Sequence, residues 1–172
     1  MREYLTETLI LDKTAANEND LTADLYTKEL GRLRAKITSG QKIISKLSPH
    51  LEPLNFSLIR LTEKNGFVLA DALTQNHIEP FSQNLKLLAA IREMIFSGES
   101  DSQLWFWLKK SLNSQKQISF SQFLKILGYD PKLASCQKCH SKFVKYFLVP
   151  DQIFVCPRCV FRVPFNMLLL EL

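Results

Sequence analysis

Four cysteines in two pairs restrict this chain more than any other feature: Cys136-Gln-Lys-Cys139 and Cys156-Pro-Arg-Cys159, with sixteen residues between the pairs. Two-residue gaps and a separation of roughly 15–20 residues are the spacing of tetrathiolate zinc sites. A short gap lets a tight turn aim both sulfurs at one point, and zinc asks only for soft ligands at the corners of a tetrahedron. Neither pair opens an evident helix after a strand, as a redox pair would. A catalytic zinc keeps one position open, whereas the count here is a closed four. The expectation is one structural zinc per chain, held by Cys136, Cys139, Cys156 and Cys159. His140 adjoins Cys139 and is a competing ligand by position, but the tetrahedral set favours the cysteines; His50 and His77 read as surface residues.

Zinc explains cysteines that a disulfide does not. At 172 residues, 46% hydrophobic and 23% charged, the chain has average globular composition and room for one domain or two small ones. A chain of this length buries roughly two-thirds of its unfolded surface, so no covalent staple is required. The apolar run near the N-terminus is broken by acidic residues before it could form a signal-peptide core. Met167 to Leu170 falls far short of the roughly 20 residues of a membrane span. The expected location is the cytoplasm, where thiols stay reduced.

Formal net charge is +5, and it is distributed in blocks: −4 over residues 1–27, +5 over 28–46, −3 over 47–101 and +7 over 102–172. Two separated positive regions point to a polyanionic partner, because clustered Lys and Arg raise the potential that phosphates feel.

From Tyr4 to Asp71 the pattern is period two or short apolar runs, as in Thr8-Leu9-Ile10-Leu11 and Leu33-Arg34-Ala35-Lys36-Ile37-Thr38, which predicts strands. Asn19-Asp20 and Glu29-Leu30-Gly31 read as turns, and Lys64-Asn65-Gly66 between two apolar runs is a hairpin signal. At least five strands in about 70 residues fit a small five-stranded OB-type barrel. After Pro80 the period changes: Phe81, Leu85, Leu88, Ile91 and Ile95 mark one face of a helix. A second helix is expected from Asp101 or Ser102 to Leu112. A third follows the capping box Ser119-Phe-Ser-Gln122 and stops at Gly128. Val144–Val149 and Gln152–Val155 are expected to form the short strands joining the two cysteine turns. The fold class is therefore α+β: an OB-type barrel at 1–78, then a small helical domain at 79–172 carrying a four-cysteine zinc ribbon at about 133–163.

In the barrel, Arg32, Arg34 and Lys36 alternate with Leu33, Ala35 and Ile37, so one face of that strand is positive and the other apolar. With Lys42 and Lys46 beyond it, this face is a candidate phosphate track. Tyr4, Tyr26, Phe56 and Phe67 are available either for base stacking or for the core. No Ser/His/Asp arrangement, Gly-rich phosphate loop or paired-carboxylate motif appears; nothing in the sequence names an enzyme, so the leading expectation is non-enzymatic and an enzyme stands third behind two binding readings.

Several strings occur together in a telling order: Glu7-Thr8-Leu9-Ile10-Leu11, Glu18-Asn19-Asp20-Leu21, Tyr26-Thr27-Lys28-Glu29-Leu30-Gly31-Arg32-Leu33, Ser39-Gly40, Ser45-Lys46-Leu47, Leu51-Glu52-Pro53, and Leu127-Gly128-Tyr129-Asp130-Pro131 ahead of Cys136. In this combination the chain resembles the RecO family of bacterial recombination mediators. The resemblance implies an N-terminal OB fold, a helical domain and a four-cysteine zinc site. It implies binding and annealing of single-stranded DNA, binding of double-stranded DNA, and help in loading RecA in the RecF pathway of repair. It also implies RecR and the tail of single-stranded DNA-binding protein as partners, with Arg32, Arg34, Lys36, Lys42 and Lys46 as DNA contacts. Two departures stand out. The helical segment between Pro80 and Cys136, where the family takes that tail, is abbreviated; Lys109 and Lys110 beside Trp105, Phe106 and Trp107 are the residues there that suit it. His140 stands where a glycine is expected after the second cysteine. The rival expectation is a zinc-ribbon interaction module that contacts RNA or an acidic protein.

Overall fold

The computed structural model describes residues 2–16, 20–37, 46–114 and 116–172. Asn19 of the first expected turn, and Gly40, Gln41 and the candidate DNA contact Lys42, lie outside the described residues.

Five strands make up the N-terminal part: β1 (Arg2–Ala15), β2 (Leu21–Thr27), β3 (Gly31–Ile37), β4 (Asn55–Glu63) and β5 (Phe67–His77). Strand β1 is twice as long as β2 and serves two partners. Its first half runs antiparallel to β4, from Arg2↔Glu63 to Leu9↔Phe56. Its second half runs antiparallel to β2, with a bulge between Ile10 and Asp12, the kind of irregularity that bends a strand and sharpens its twist. Antiparallel β2–β3 and β4–β5 pairs follow, the latter through the expected Asn65-Gly66 hairpin. A short parallel contact, Ala35↔Phe67 and Lys36↔Val68, joins β3 to β5. The order β1-β2-β3-β5-β4 thus returns to β1 and the sheet closes through that short contact. Alternation along the strands sends Ile10, Leu25, Leu33, Ile37, Ile59 and Leu61 inward to one core.

Helix α1 (Ser82–Met94) buries Asn84, Leu87, Leu88, Ile91 and Met94, one face at helical spacing. Helix α2 (Ser102–Asn113) starts where Asp101 Oδ1 accepts the Leu104 N–H at 3.0 Å, an N-cap that satisfies one orphan donor. Helix α3 (Phe120–Ile126) begins at Ser119, whose hydroxyl accepts from the Gln122 N–H. It ends at Gly128, whose φ is 90°. There the Gly128 N–H donates to the Lys125 carbonyl and the Tyr129 N–H to the Leu124 carbonyl, a Schellman closure that requires the left-handed backbone a glycine gives.

The last module is a three-stranded sheet of β6 (Tyr146–Leu148), β7 (Ile153–Val155) and β8 (Leu169–Glu171) in the order β7-β6-β8. Within the C-terminal apolar run, Leu169 and Leu170 thus lie in a sheet strand; β8 was not among the expected strands.

The chain divides into two compact units, 1–81 with 95–105, and 82–94 with 106–172. The return of 95–105 to the barrel unit is fastened at β3: the Gly98 N–H donates to the Arg32 carbonyl at 2.9 Å, and Arg32 bridges to Ser97. At Gly31, with φ of 65°, an added Cβ would fall 2.0 Å from the Glu99 carbonyl oxygen. Gly31→Ala should therefore lower unfolding free energy by at least about 2 kcal/mol. Gly66→Ala, whose Cβ meets nothing within 4 Å, should cost only the left-handed backbone penalty of about 1 kcal/mol. Urea titration of the two variants checks the ordering.

Candidate metal centre and cationic strand face

The sulfur atoms of Cys136, Cys139, Cys156 and Cys159 lie within 4.8 Å of one another. Strands β6 and β7 pair antiparallel from Tyr146↔Val155 to Leu148↔Ile153, which brings the segment after the first cysteine pair beside the start of the second. Each turn is closed by the main chain: the Cys136 N–H donates to the Ser141 carbonyl at 2.8 Å and the Cys159 N–H to the Cys156 carbonyl at 3.1 Å. His140 adopts φ of 59°. That is backbone glycine adopts most readily, so the histidine occupies the glycine place without displacing a ligand. It is not one of the four clustered groups.

Four thiolates around a zinc ion at about 2.3 Å would be roughly 3.8 Å apart, and Cys139 Sγ lies 3.6 Å from Cys156 Sγ. None of the four is in a disulfide. The set therefore fits a closed tetrahedral metal site. Burial opposes ionisation of Cys136, but main-chain hydrogen bonds from Cys156, Lys138 and Cys139 outweigh it and bring the thiol down to about 6. Cys156 is burdened by burial too, yet is lowered by the Cys159 main chain and the Cys139 sulfur. Cys159 moves the other way, to about 12, chiefly through its hydrogen bond with the Cys139 thiol and then through burial. A divalent cation at this point would favour the thiolate form of its sulfur ligands.

The second group of expected site residues lies on β3, where the burial pattern places Leu33, Ala35 and Ile37 inward and Arg34 and Lys36 in solvent. Arg32 shares their face but not their freedom. Its guanidinium grips Asp24 through Nε (3.1 Å) and Nη2 (2.8 Å), while Nη1 donates to the Ile95 carbonyl at 3.0 Å. The 95–105 segment covers this end of the strand pair, so Arg32 holds that segment and the open track begins at Arg34. Lys46 is exposed. Of the four aromatic candidates, Tyr26 and Phe56 are buried against Trp105, with ring centroids 6.2 and 5.9 Å away. Tyr4 and Phe67 pack edge to face at 6.1 Å and lean on the barrel core. All four serve packing. Trp105 and Trp107 are core residues as well, whereas Phe106 is exposed.

Some features of these surfaces were not singled out in advance. Phe143, Phe161 and Phe165 stand in solvent around the cysteine turns. Their signal in the sequence is an aromatic beside or near a basic residue in each turn, as in Lys142-Phe143 and Phe161-Arg162.

Comparison with known proteins matches residues 1–81 to the family model described as "Recombination protein O N terminal". Similar curated proteins are each named "DNA repair protein RecO". That of Thermodesulfovibrio yellowstonii is 28% identical over 175 residues, 91% of this chain and 70% of the relative. That of Dehalococcoides mccartyi is 26% identical over 180 residues, with the same coverage, and that of Caldanaerobacter subterraneus is 26% identical over 179 residues, 92% and 72%. Among the described residues, no helix is long and apolar enough to cross a membrane.

Arg32 and Arg34, two residues apart on one face, should separate cleanly. Arg32→Ala removes a bidentate cation from Asp24, which is 5% exposed, and should destabilise the protein by about 2–4 kcal/mol. Arg34→Ala should change stability by no more than about 0.5 kcal/mol. Chemical denaturation of both variants measures this.

Proposed function

Because the chain belongs to the RecO family, we propose that it is a DNA-binding repair mediator that binds and anneals single-stranded DNA and aids RecA loading, without making or breaking a bond. The observation that carries this reading is the outward pair Arg34 and Lys36 on β3, with Lys46 exposed and Arg32 already committed to Asp24. The ring order with a parallel β3–β5 contact suits an OB-type barrel, a scaffold used for single strands. Cations along one strand lower the repulsion between two sets of phosphates, so complementary bases can meet. Double-stranded DNA is a ligand of the same charge, and RecR and the tail of single-stranded DNA-binding protein are the protein partners that the resemblance supplies.

In this reading Cys136, Cys139, Cys156 and Cys159 hold one structural zinc ion. The metal, when bound, supplies folding energy and rigidity to the turns. The residues themselves place Lys142, Arg158 and Arg162 at fixed positions around the cysteines.

Affinity for an oligo(dT) strand should fall with salt at a slope of about −0.7 per phosphate contact, and Arg34→Glu or Lys36→Glu should weaken binding several-fold while flattening that slope. The protein should also accelerate annealing of complementary strands without ATP. Binding indifferent to salt and to both substitutions would contradict the reading; a preference for RNA without annealing would favour an adaptor role. Denaturation with a chromogenic chelator should release about one zinc per chain, and Cys136→Ser should lose it. Release of none, with all four thiols titratable in the native protein, would refute the site.

A further inference from the structure

The C-terminal module spends large aromatic side chains where its fold does not need them. Around the cysteine cluster the interior is completed by Val144, Tyr146, Ile153, Val163, Met167 and Leu169. Phe143 and Phe161 adjoin none of these positions inwardly: they are 69% and 89% exposed, and Phe165 is fully exposed. Large apolar groups left exposed on segments that flank one side-chain cluster mark a candidate interaction surface.

Main-chain geometry puts two of these rings at one end of the module. Ser141 is tied back to Cys136 at 2.8 Å, so the chain leaves the first turn through Lys142 and Phe143 right beside a sulfur ligand. The second turn continues from Cys159 into a 3-10 turn, Val160–Arg162, that carries Phe161, and Phe165 follows four residues later. With at most about 3.6 Å of reach per residue, the Phe143 and Phe161 backbones stay within roughly 10 Å of the cysteines. Asp151, the nearest acidic residue in sequence to the second pair, sits in the β6–β7 connection at the opposite end of those strands. Lys142, Arg158 and Arg162 are exposed, and none is ion-paired among the described residues, whereas Lys145 is held by Glu171 at 2.9 Å.

Flat rings interleaved with unneutralised cations are the two parts a single strand requires: stacking for bases, charge for phosphates. An acidic peptide or an anionic lipid surface can also use cations beside apolar rings, but the flat faces match bases and the DNA-binding reading above supplies the strand. We propose that the exposed segments flanking the cysteine turns form a second single-stranded DNA surface, in which Phe143, Phe161 and Phe165 stack on bases while Lys142, Arg158 and Arg162 hold the backbone. The inference rests on the DNA-binding reading above and adds a site to it.

The test is equilibrium binding of the full, metal-loaded chain to fluorescent oligo(dT) and to an abasic oligomer of equal length and charge. Wild type should bind oligo(dT) at least about tenfold more tightly than the abasic strand, and the triple variant F143A/F161A/F165A should lose at least about tenfold on oligo(dT). Its affinity for the abasic strand should stay within about twofold of wild type. The triple leucine variant keeps apolar bulk without rings and should behave as the alanine triple does; unchanged zinc content shows that both fold. Oligo(dT) affinity indifferent to the alanine triple but weakened by Arg34→Glu would overturn this inference and leave the barrel reading intact. Retention of affinity by the leucine triple would also overturn it. So would displacement of oligo(dT) by phosphatidylglycerol vesicles whose own binding depends on the three rings. Absence of any single-strand binding by wild type would sink both.

Discussion

The N-terminal unit depends on a single strand that is shared. Fourteen residues of β1 must face β4 over their first half and β2 over their second, and the bulge after Ile10 lets one strand turn from one partner to the other. Sharing β1 is what joins the β4–β5 hairpin to the β2–β3 hairpin, and once they are joined the parallel contact of β3 with β5 completes the ring. Ring closure in turn decides the faces. Leu33, Ala35 and Ile37 can only point into the barrel, so Arg34 and Lys36 must point out.

A second constraint trims that outward face. The 95–105 segment returns to β3 and is held by Arg32, which bonds Asp24 with one edge of its guanidinium and the Ile95 carbonyl with another nitrogen. A fork of donors in a fixed plane can serve both at once, which a lysine could not. The close approach at Gly31 leaves no room for a side chain. One arginine therefore secures the cover while its two neighbours in the same row stay in solvent.

Much of this was legible in the residues. Alternating Leu-Arg-Ala-Lys-Ile and the Asn65-Gly66 turn announced strands, Ser119 and Gly128 announced the ends of α3, and the two Cys-x-x-Cys turns announced a cluster that the fold assembles. What was not legible depended on distant pairing. Nothing in the alternating pattern distinguishes Arg32 from Arg34, because the difference is made by Asp24 on the neighbouring strand and by the Ile95 carbonyl 63 positions away. The roles of Tyr26 and Phe56 were open for the same reason: only Trp105, from a helix start far along the chain, decides that they are core. β8 was obscured because its three residues gain their identity as a strand only by pairing with β6. The cysteine spacing foretold the centre but not its neighbours, since exposure of Phe143 and Phe161 follows from which other residues fill the interior.

The two surfaces differ on physical grounds: β3 offers charge on one strand face, and the cysteine turns offer four sulfurs close enough together to hold one metal ion. The central claim is that the open end of β3 lies along DNA, and lysine footprinting tests it most directly. Acetylation of the full chain with and without oligo(dT), read by mass spectrometry, should slow several-fold at Lys36 and remain unchanged at Lys86 and Lys125, which are exposed on α1 and α3. Equal labelling of Lys36 with and without saturating DNA would contradict the account.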